Sequence, residues 1–375
     1  MISELFAGSL LGISGVVPFF HANFVLQLFG GIWRTDLGIA VFAISLSMSH
    51  AFFELLPSFI FLGGIEAKEL NANKEQILLA GFETLVLCAL FLPVAYFALP
   101  IVKIQMAQNF KYIYLSIICC AFFREKTFFG ALFALIIFVG SGVFGSITFF
   151  YQMAKEPLFP MLSGFFALPS ILLGNLETEK EGLERSKFGA NNLSLQIGAV
   201  FASAASTLFP ALTPGVIIGV LIMYFRENAF ARLSLAVIIS KVFFDIGAVG
   251  ITGATRSVAA AIFKPVFEMH GNFAMAMFVG AAFFSASVAM AIAYRFNEKL
   301  LVAYEWMQSK KGRKIAVVVL FALVLAFGGA AGVLIFCVAS FFGILCAKLN
   351  VARGYLMGAL TVPALLVFFG IEKVF

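Results

Sequence analysis

The sequence predicts an all-α, polytopic membrane protein, and three observations support that prediction. The 375-residue chain is 62% hydrophobic and 12% charged, whereas soluble domains carry about 25% charged residues. Its mean hydropathy is +1.05. Its apolar runs are long and are interrupted by glycine, proline and serine. This is typical of helices, because the strands of a membrane barrel alternate over short segments.

The apolar segments predict about ten spanning elements, since a simple helical span needs about 20 residues. Some segments are shorter than this, such as 112–123, and others are longer, such as 191–223. We therefore expect some of the spanning helices to be broken or re-entrant. Their non-helical backbone is expected to face protein or a water-filled cavity.

The two halves of the chain are predicted to be sequence-related repeats at residues 1–175 and 191–375, joined by a linker loop at 176–190. Four pairs of motifs occur in the same order, 190 to 194 residues apart: Pro18 and Pro210, Ser49–Glu54 and Ser240–Asp245, Ser141–Phe144 and Ala331–Leu334, and Gly164–Pro169 and Gly358–Pro363. Duplicated halves are typical of secondary transporters. An odd number of spans in each half would invert one repeat relative to the other, and we favour this inverted arrangement.

The first interruption of an apolar segment contains Gly12, Pro18, His21 and Asn23. Proline removes a helix hydrogen bond, and glycine lets backbone segments approach closely. One interpretation is a half-helix whose free N–H groups and side chains bind an anion in a cavity. The alternative is a proline-kinked helix whose polar residues bond to neighbouring carbonyls. We favour the first, because ionisable groups at membrane depth are costly and are functional by default.

The second interruption is rich in hydroxyl groups and proline. It contains Ser203, Ser206, Thr207, Pro210, Thr213, Pro214 and Gly215. Unwound backbone here would complete the anion site that the first interruption begins. Alternatively, these small residues only allow helices to pack closely, and the two interpretations are compatible.

Two pairs of ionisable residues lie four positions apart within apolar segments: His50 with Glu54, and Lys241 with Asp245. Residues i and i+4 share one face of a helix. A histidine–carboxylate pair suits proton coupling or coordination of a cation, since both groups can titrate after burial. A lysine–aspartate pair more often forms a structural ion pair inside a membrane protein.

Arg256 follows a stretch of small residues and hydroxyls, Gly250–Thr255. A guanidinium group can hold a carboxylate or a phosphate through two parallel hydrogen bonds. The alternative, to which we give equal weight, is an arginine that snorkels from a helix end to the membrane surface.

The sequence excludes several classes of chemistry. His21, His50 and His270 have no metal-ligand spacing, and the chain contains no Walker A, HExxH or GxSxG motif. We therefore expect no metal and no resident cofactor other than a coupling H⁺ or Na⁺. We also expect no nucleic-acid partner and no enzymatic activity. A structural or enzymatic membrane protein stays open as a third alternative, since an intramembrane catalytic centre needs only a few polar residues.

The charge pattern predicts how the chain lies in the membrane. The net charge is +6, which in a membrane protein reports basic loops on the cytoplasmic side. Lys310–Lys314 has the densest positive charge, so we expect a cytoplasmic loop there, in a multi-pass protein of the cytoplasmic membrane. Met1–Phe6 lacks a basic region and a cleavage site, so we expect the first helix to be retained.

Four groups of residues carry a resemblance to a known family. They are Pro-x-x-His-x-Asn at Pro18–Asn23, Ser49-His50-x-Phe52 with the following Leu56–Gly63, Pro160-x-Leu162-Ser163-Gly164-x-Phe166, and Pro214-Gly215 with Arg256-Ser257. Together they resemble the archaeal branch of the large membrane subunit of tripartite tricarboxylate transporters, from about residue 5 to residue 260. The resemblance implies a carboxylate transporter. In the bacterial systems of that family, a periplasmic binding protein and a small membrane subunit assist.

These observations together predict a secondary transporter of an organic anion, with a carboxylate favoured, bound where two broken helices meet near the midplane. The expected binding residues are Gly12, Pro18, His21, Asn23, Ser206, Thr207, Thr213, Pro214, Gly215 and Arg256, and the expected coupling residues are His50, Glu54, Lys241 and Asp245.

The alternative function is a translocase of a polyprenyl-phosphate lipid carrier, because such proteins also resemble duplicated bundles with Gly-Pro breaks that face an anionic head group. The expected partners are the lipid bilayer and a small anionic substrate. A substrate-binding protein or a small membrane subunit is implied by the family resemblance, and the sequence leaves a homo-oligomer open.

Overall fold

A computed structural model describes residues 1–16, 25–26, 35–63, 74–106, 109–122, 127–151, 153–154, 157–173, 193–209, 214, 217–218, 221, 230–349 and 351–370. These residues fold almost entirely into helices, and no strand occurs among them. The predicted all-α class is confirmed.

The helices are, in chain order, α1 (Ile2–Leu11), α2 (Asp36–Gly63), α3 (Lys74–Met106), α4 (Phe110–Phe122), α5 (Phe128–Phe150), α6 (Leu158–Leu162), α7 (Leu168–Leu173), α8 (Leu193–Ser206), α9 (Phe230–Thr252), α10 (Val258–His270), α11 (Asn272–Gln308), α12 (Lys310–Lys348) and α13 (Gly358–Phe368). A 3₁₀ segment, Gly12–Val16, extends α1, and another, Arg353–Met357, precedes α13. A π-helical turn, Ser163–Ala167, joins α6 to α7.

Within the described residues, six helices are long and apolar enough to cross a membrane. Their apolar stretches are Asp36–Phe53, Glu75–Gln105, Phe128–Phe150, Arg232–Thr252, Asn272–Phe296 and Lys310–Lys348. Shorter apolar helices accompany them at Ile2–Ser14, Leu158–Leu173, Leu193–Ser206 and Arg353–Phe368. The six long helices indicate a multi-pass membrane protein, whereas the number of spans and the identity of the membrane stay predictions.

The chain forms two compact units, and each unit takes one segment from each predicted half. The first unit comprises Met1–Gln105 and Leu183–Tyr304, and the second comprises Met106–Gly182 and Glu305–Phe375. The boundaries of these units therefore differ from the predicted division at residues 176–190. Because sequence repeats can exchange elements between units, the division of the chain into two repeats stays a prediction.

Helices α2 and α9 form the buried centre of the first unit. Phe42, Phe53, Phe243 and Phe244 on these two helices are completely buried. Helix α1 lies against α2 through glycine, because a Cβ atom at Gly8 would approach the Phe42 carbonyl oxygen to 2.6 Å. The small residues of α1 therefore serve close helix packing of the kind found in membranes.

Glycine also sets the helix contacts of the second unit. Helix α5 packs on α13 where Gly145 meets Ala359, whose carbonyl carbon and Cα would lie 2.6 Å from a Cβ at Gly145. Helix α12 packs on α7 where Gly343 meets Pro169, whose Cγ would lie 2.6 Å from a Cβ at Gly343. A side chain at either glycine would push the neighbouring segment away, since packed interiors contain little free space.

Helix α12 reverses direction at Gly329. The backbone there has φ 60° and ψ −159°, a left-handed conformation that glycine adopts without steric penalty. A Cβ at Gly332 would lie 3.4 Å from the carbonyl oxygen of Val324, although eight residues of straight helix advance about 12 Å. The residues before and after Gly329 therefore form two arms, 310–328 and 330–348, that fold back on each other.

The basic segment Lys310–Lys314 is helical, so the predicted loop is wrong. Ser309 caps the helix, and its Oγ accepts a hydrogen bond from the Gly312 amide at 3.1 Å. A serine in this position satisfies one of the free N–H groups of a helix start, and the helix begins directly after it. The cytoplasmic location of this segment stays a prediction.

The reversal at Gly329 predicts the topology of α12. Each arm is roughly 28 Å long, close to the thickness of a bilayer core, so the exposed Lys310 and Lys348 are expected on the same side of the membrane. In a cysteine-free background, cysteines at positions 310 and 348 should react with an impermeant maleimide from one side. A cysteine at position 329 should react from the other side. Labelling of 310 and 348 from opposite sides would contradict the reversal.

Candidate functional site

Buried polar residues of the first unit cluster around the end of α8 and the middle of α9. Helix α8 ends at Ser206 after 14 residues, which is about 21 Å and less than a full span. The described chain continues through Thr207 to Phe209 as a turn. The carbonyl groups at such an end need hydrogen-bond donors from elsewhere, because no N–H group of the helix donates to them.

Arg256 supplies those partners. Its Nε donates a hydrogen bond to the Thr207 carbonyl oxygen at 2.7 Å, and its Nη2 donates to the Leu208 carbonyl oxygen at 3.1 Å. Arg256 is half-buried and is positioned by a turn after α9 in which Gly253 has φ 70°. A cation at the C-terminal end of a helix also complements the helix dipole. This residue, predicted to bind substrate, therefore holds the end of α8 in place.

Lys241 and Asp245 form an ion pair on α9, as their spacing predicts. The Lys241 ammonium contacts the Asp245 carboxylate directly, and the two side chains are only 8% and 15% exposed. The charge of Arg256 also acts on the Asp245 carboxylate. One carboxylate therefore lies among two cations in the interior of the first unit.

The hydroxyl groups predicted to bind substrate donate to their own helix. Ser206 Oγ donates to the Ser203 carbonyl oxygen, and Thr207 Oγ1 donates to the Ala204 carbonyl oxygen, each at 2.7 Å. Both residues are buried. Because each hydroxyl has one proton to donate, these groups offer an anion acceptor oxygens but no free donor in this conformation.

His50 lies in a second polar group, where α1 meets α2. Its side chain is 4% exposed, and its Nδ1 is 3.2 Å from Ser14 Oγ. The adjacent Ser49 donates to the Ser9 carbonyl oxygen at 2.6 Å. Gly12 is buried against Ser49, so glycine here allows the close approach of α1 and α2.

Several predicted site residues lie outside the described residues. They are Pro18, His21 and Asn23 of the first interruption and Thr213 and Gly215 of the second. Glu54 lies in α2, but its side chain is outside the description as well. Pro214 is helical and half-buried. The predictions for these residues stay predictions.

The two short helices meet their partners in the same sequence register. Gly12, in the 3₁₀ segment that extends α1, lies against Ser49 of α2. Ser203 of α8 accepts a hydrogen bond from Ser240 of α9 at 2.7 Å. Gly12 and Ser203 are 191 residues apart, and so are Ser49 and Ser240. The helix pairs α1–α2 and α8–α9 therefore cross at corresponding positions.

A third polar group, which sequence reasoning missed, joins α3, α8 and α9. The Gln196 Nε2 atom donates to the Ala80 carbonyl oxygen at 3.2 Å and to Glu83 Oε2 at 3.3 Å. Gln196 is completely buried and Arg232 is 6% exposed, and the charge of Glu83 acts on Arg232. A sequence signal existed, since Glu83 is a lone carboxylate in the apolar segment 76–101.

Within the described part of the chain, no three His, Cys, Asp or Glu side chains come together as metal ligands. The expectation that no metal is bound therefore stays a prediction about the whole chain. Comparison with known proteins adds no assignment.

No family model, curated protein or solved structure matches this chain. The resemblance to tripartite tricarboxylate transporters therefore rests on the quoted motifs alone. A functional proposal has to rest on the polar groups of the first unit.

Proposed function

We propose that this protein is a secondary transporter of an organic anion, with a carboxylate as the favoured substrate. The observation that carries the proposal is the group of Lys241, Asp245 and Arg256 beside the end of α8. Ionisable residues within membrane helices are costly and mark substrate or ion pathways. Two cations and one carboxylate leave this group with one positive charge, which a monoanionic carboxyl group would compensate.

The position of the group also supports a binding site. A short helix that ends inside a transporter leaves carbonyl groups and N–H groups for ions and substrates. In the described conformation Arg256 occupies the carbonyl groups of Thr207 and Leu208. An anion that engages Arg256 would release these carbonyls, and substrate binding would then change how α8 ends.

The helix contacts support a repeated architecture. Beyond the crossings of α1–α2 and α8–α9, two contacts of the second unit correspond: Gly145 of α5 meets Ala359, and Gly343 of α12 meets Phe165. We therefore align Gly145 with Gly343, 198 residues further along the chain. The same spacing aligns two pairs of phenylalanines, Phe138 with Phe336 and Phe144 with Phe342. The predicted match of Ser141–Phe144 to Ala331–Leu334, at a spacing of 190 residues, stays the alternative register. In this arrangement each repeat packs on an element of the other, which fits an inverted repeat.

Coupling ions complete the proposal. His50 and Glu54 are proposed to carry a coupling H⁺ or to help bind Na⁺, and His50 is buried beside Ser14 as this role requires. Lys241 and Asp245, the second predicted coupling pair, compensate each other's charge as an ion pair. They are proposed to hold the substrate region in this paired state, beside the positive charge of Arg256. A substrate-binding protein or a small membrane subunit is proposed as a partner only through the family resemblance.

Binding and transport can be tested with purified protein. Carboxylates should raise the apparent melting temperature, because a ligand that binds only the folded state stabilises it by mass action. Uptake of a labelled di- or tricarboxylate into proteoliposomes should fall at least about tenfold in Arg256→Gln, as expected for loss of a charged hydrogen-bond donor.

Lys264 provides the matched control for this test. It forms an exposed i,i+4 pair with Glu268 at 3.8 Å in the same unit, so Lys264→Gln should transport normally. Stabilisation by polyprenyl phosphate and not by any carboxylate would move the assignment to the lipid translocase. Transport by Arg256→Gln at the parent rate would show that Arg256 is not part of the binding site.

A further inference from the structure

The third polar group of the first unit has the chemistry of a proton-binding site. Glu83 lies within the apolar stretch Glu75–Gln105, and its partners Gln196 and Arg232 come from two other helices. Around Gln196 and Arg232 the helices are apolar, with Leu195, Ala199 and Leu233 completely or almost completely buried. Glu83 itself is half-buried, and its described polar partners are Gln196 and Arg232, so a change in its charge affects both of them.

The amide nitrogen of Gln196 has hydrogen-bond partners, whereas its amide oxygen has none among the described residues. Its Nε2 donates to Ala80 and to Glu83 Oε2, whereas its Oε1 is buried and has no hydrogen-bond donor among the described residues. Reversing the amide would place Oε1 against two acceptors, so the orientation is fixed while Glu83 is ionised. A buried acceptor without a donor is costly, and its position points to a proton that this ionised form lacks.

A protonated Glu83 supplies that missing donor. Glu83 Oε2 would keep accepting from Gln196 Nε2, and an O–H on the other carboxyl oxygen, Oε1, could donate to Gln196 Oε1. A neutral carboxylic acid and an amide pair through two antiparallel hydrogen bonds in this way. The proton comes from water, no bond other than O–H is formed, and the carboxyl group loses its negative charge.

Arg232 favours the opposite state. The charges of Glu83 and Arg232 interact, and in general an opposite charge nearby favours the charged form of a group. Two other helices contribute apolar groups beside α3 near Glu83: Phe52 of α2 lies against Gly81, and Phe283 of α11 lies against Phe82. Arg232 is thus the charged group among these described neighbours.

We propose that Glu83 binds and releases a proton, paired with Arg232 when ionised and with Gln196 through two hydrogen bonds when protonated. Proton uptake removes the negative charge of Glu83 from the surroundings of Arg232, which makes these surroundings more favourable for an anion. The proton site itself depends only on Glu83, Gln196 and Arg232. Its use in coupling a proton to anion transport rests in addition on the proposed function.

Infrared difference spectroscopy of the purified protein tests the proton site directly. A carboxylic-acid C=O component from Glu83 should appear as the pH falls and should be missing from the difference spectrum of Glu83→Gln, whereas the components of the other carboxyl groups remain. Glu75→Gln is the control, because Glu75 lies on the same helix but is exposed, and it should leave the band intact. Persistence of the full band in Glu83→Gln would overturn the proposal.

The two partners should move the band in opposite directions. Gln196→Leu removes the partner of the protonated form, so the band should appear about one pH unit lower than in the parent protein, a tenfold change in proton affinity. Arg232→Gln removes the partner of the ionised form, so the band should appear at higher pH. Arg232→Lys keeps the positive charge, so the band should stay near its parent position. This variant replaces Arg232→Gln in the test if Arg232→Gln does not fold. Shifts in the same direction, or no shift in Gln196→Leu, would overturn the proposal.

Transport assays separate this inference from the proposed function. If carboxylates are transported and Glu83→Gln abolishes the dependence of uptake on a pH gradient, both proposals are supported. If the Glu83 band titrates but no anion is transported, the proposed function is wrong and the proton site stands. If anions are transported but no Glu83 band exists, the proton site is wrong and the proposed function stands.

Discussion

Asp245→Asn is expected to lower the free energy of unfolding by about 3–5 kcal/mol, the usual cost of removing one partner from a buried ion pair. The Asp245 carboxylate pairs with Lys241 and also compensates the charge of Arg256. Without the carboxylate, two cations would face each other in a largely buried region. Unfolding by SDS in mixed micelles would measure the difference.

Lys241→Met should cost less than Asp245→Asn, because Arg256 remains as a counter-charge for Asp245. The double variant Lys241→Met with Asp245→Leu should recover most of the loss, since an apolar pair of similar volume often replaces a buried ion pair without penalty. Lys264→Met removes an exposed partner and should cost at most about 1 kcal/mol. Equal costs for Lys241→Met and Lys264→Met would contradict the burial of the Lys241–Asp245 pair.

The sequence predicted what depends on spacing along one helix. Lys241 and Asp245 are four residues apart, and any helix through this apolar stretch brings them together. The all-helical class followed in the same way, because composition and long apolar runs leave few alternatives in a membrane. Predictions of this kind need no knowledge of which helices are neighbours.

Contacts between distant residues were not predictable from the sequence. Arg256 bonds to the carbonyls of Thr207 and Leu208, 49 and 48 residues away, and Gln196 bonds to Glu83, 113 residues away. Every residue has a backbone carbonyl, so the sequence does not show which carbonyls an arginine binds. The contact of Arg256 with the end of α8 was therefore not predicted. The role of a glutamine in an apolar helix is equally hard to predict. Only its spatial neighbours determine whether it serves helix packing or a functional site.

Helix ends were the other source of error. The basic residues from Lys310 onward suggested a loop, but a single serine cap at Ser309 and an uninterrupted helical backbone placed them in the first turn of α12. Conversely, the apolar run 315–347 gave no sign of a reversal other than two adjacent glycines, Gly328 and Gly329. Glycine is frequent in membrane helices, so the sequence alone did not distinguish a turn from a packing surface.

Gly145→Ala is expected to destabilise the protein by about 3 kcal/mol, at the upper end of the range for overpacking. The added methyl group would meet the backbone of Ala359, with its carbonyl carbon and Cα at 2.6 Å. A flexible side chain could rotate away from such a contact, whereas a backbone segment can only move together with its helix. Helices α5 and α13 would therefore have to separate along the line on which they pack.

Gly280→Ala is the matched control, because Gly280 also lies within a long apolar helix and nothing lies within 4 Å of its added Cβ. Alanine there should stabilise the helix by about 0.5–1 kcal/mol, so the two identical substitutions should have opposite signs. Gly343→Ala should resemble Gly145→Ala, since its Cβ would meet the Phe165 carbonyl and Pro169. A comparable loss of stability at Gly145 and Gly343 would support their placement at corresponding positions of two repeats. Stabilisation by Gly145→Ala would mean that α5 and α13 do not pack through this glycine.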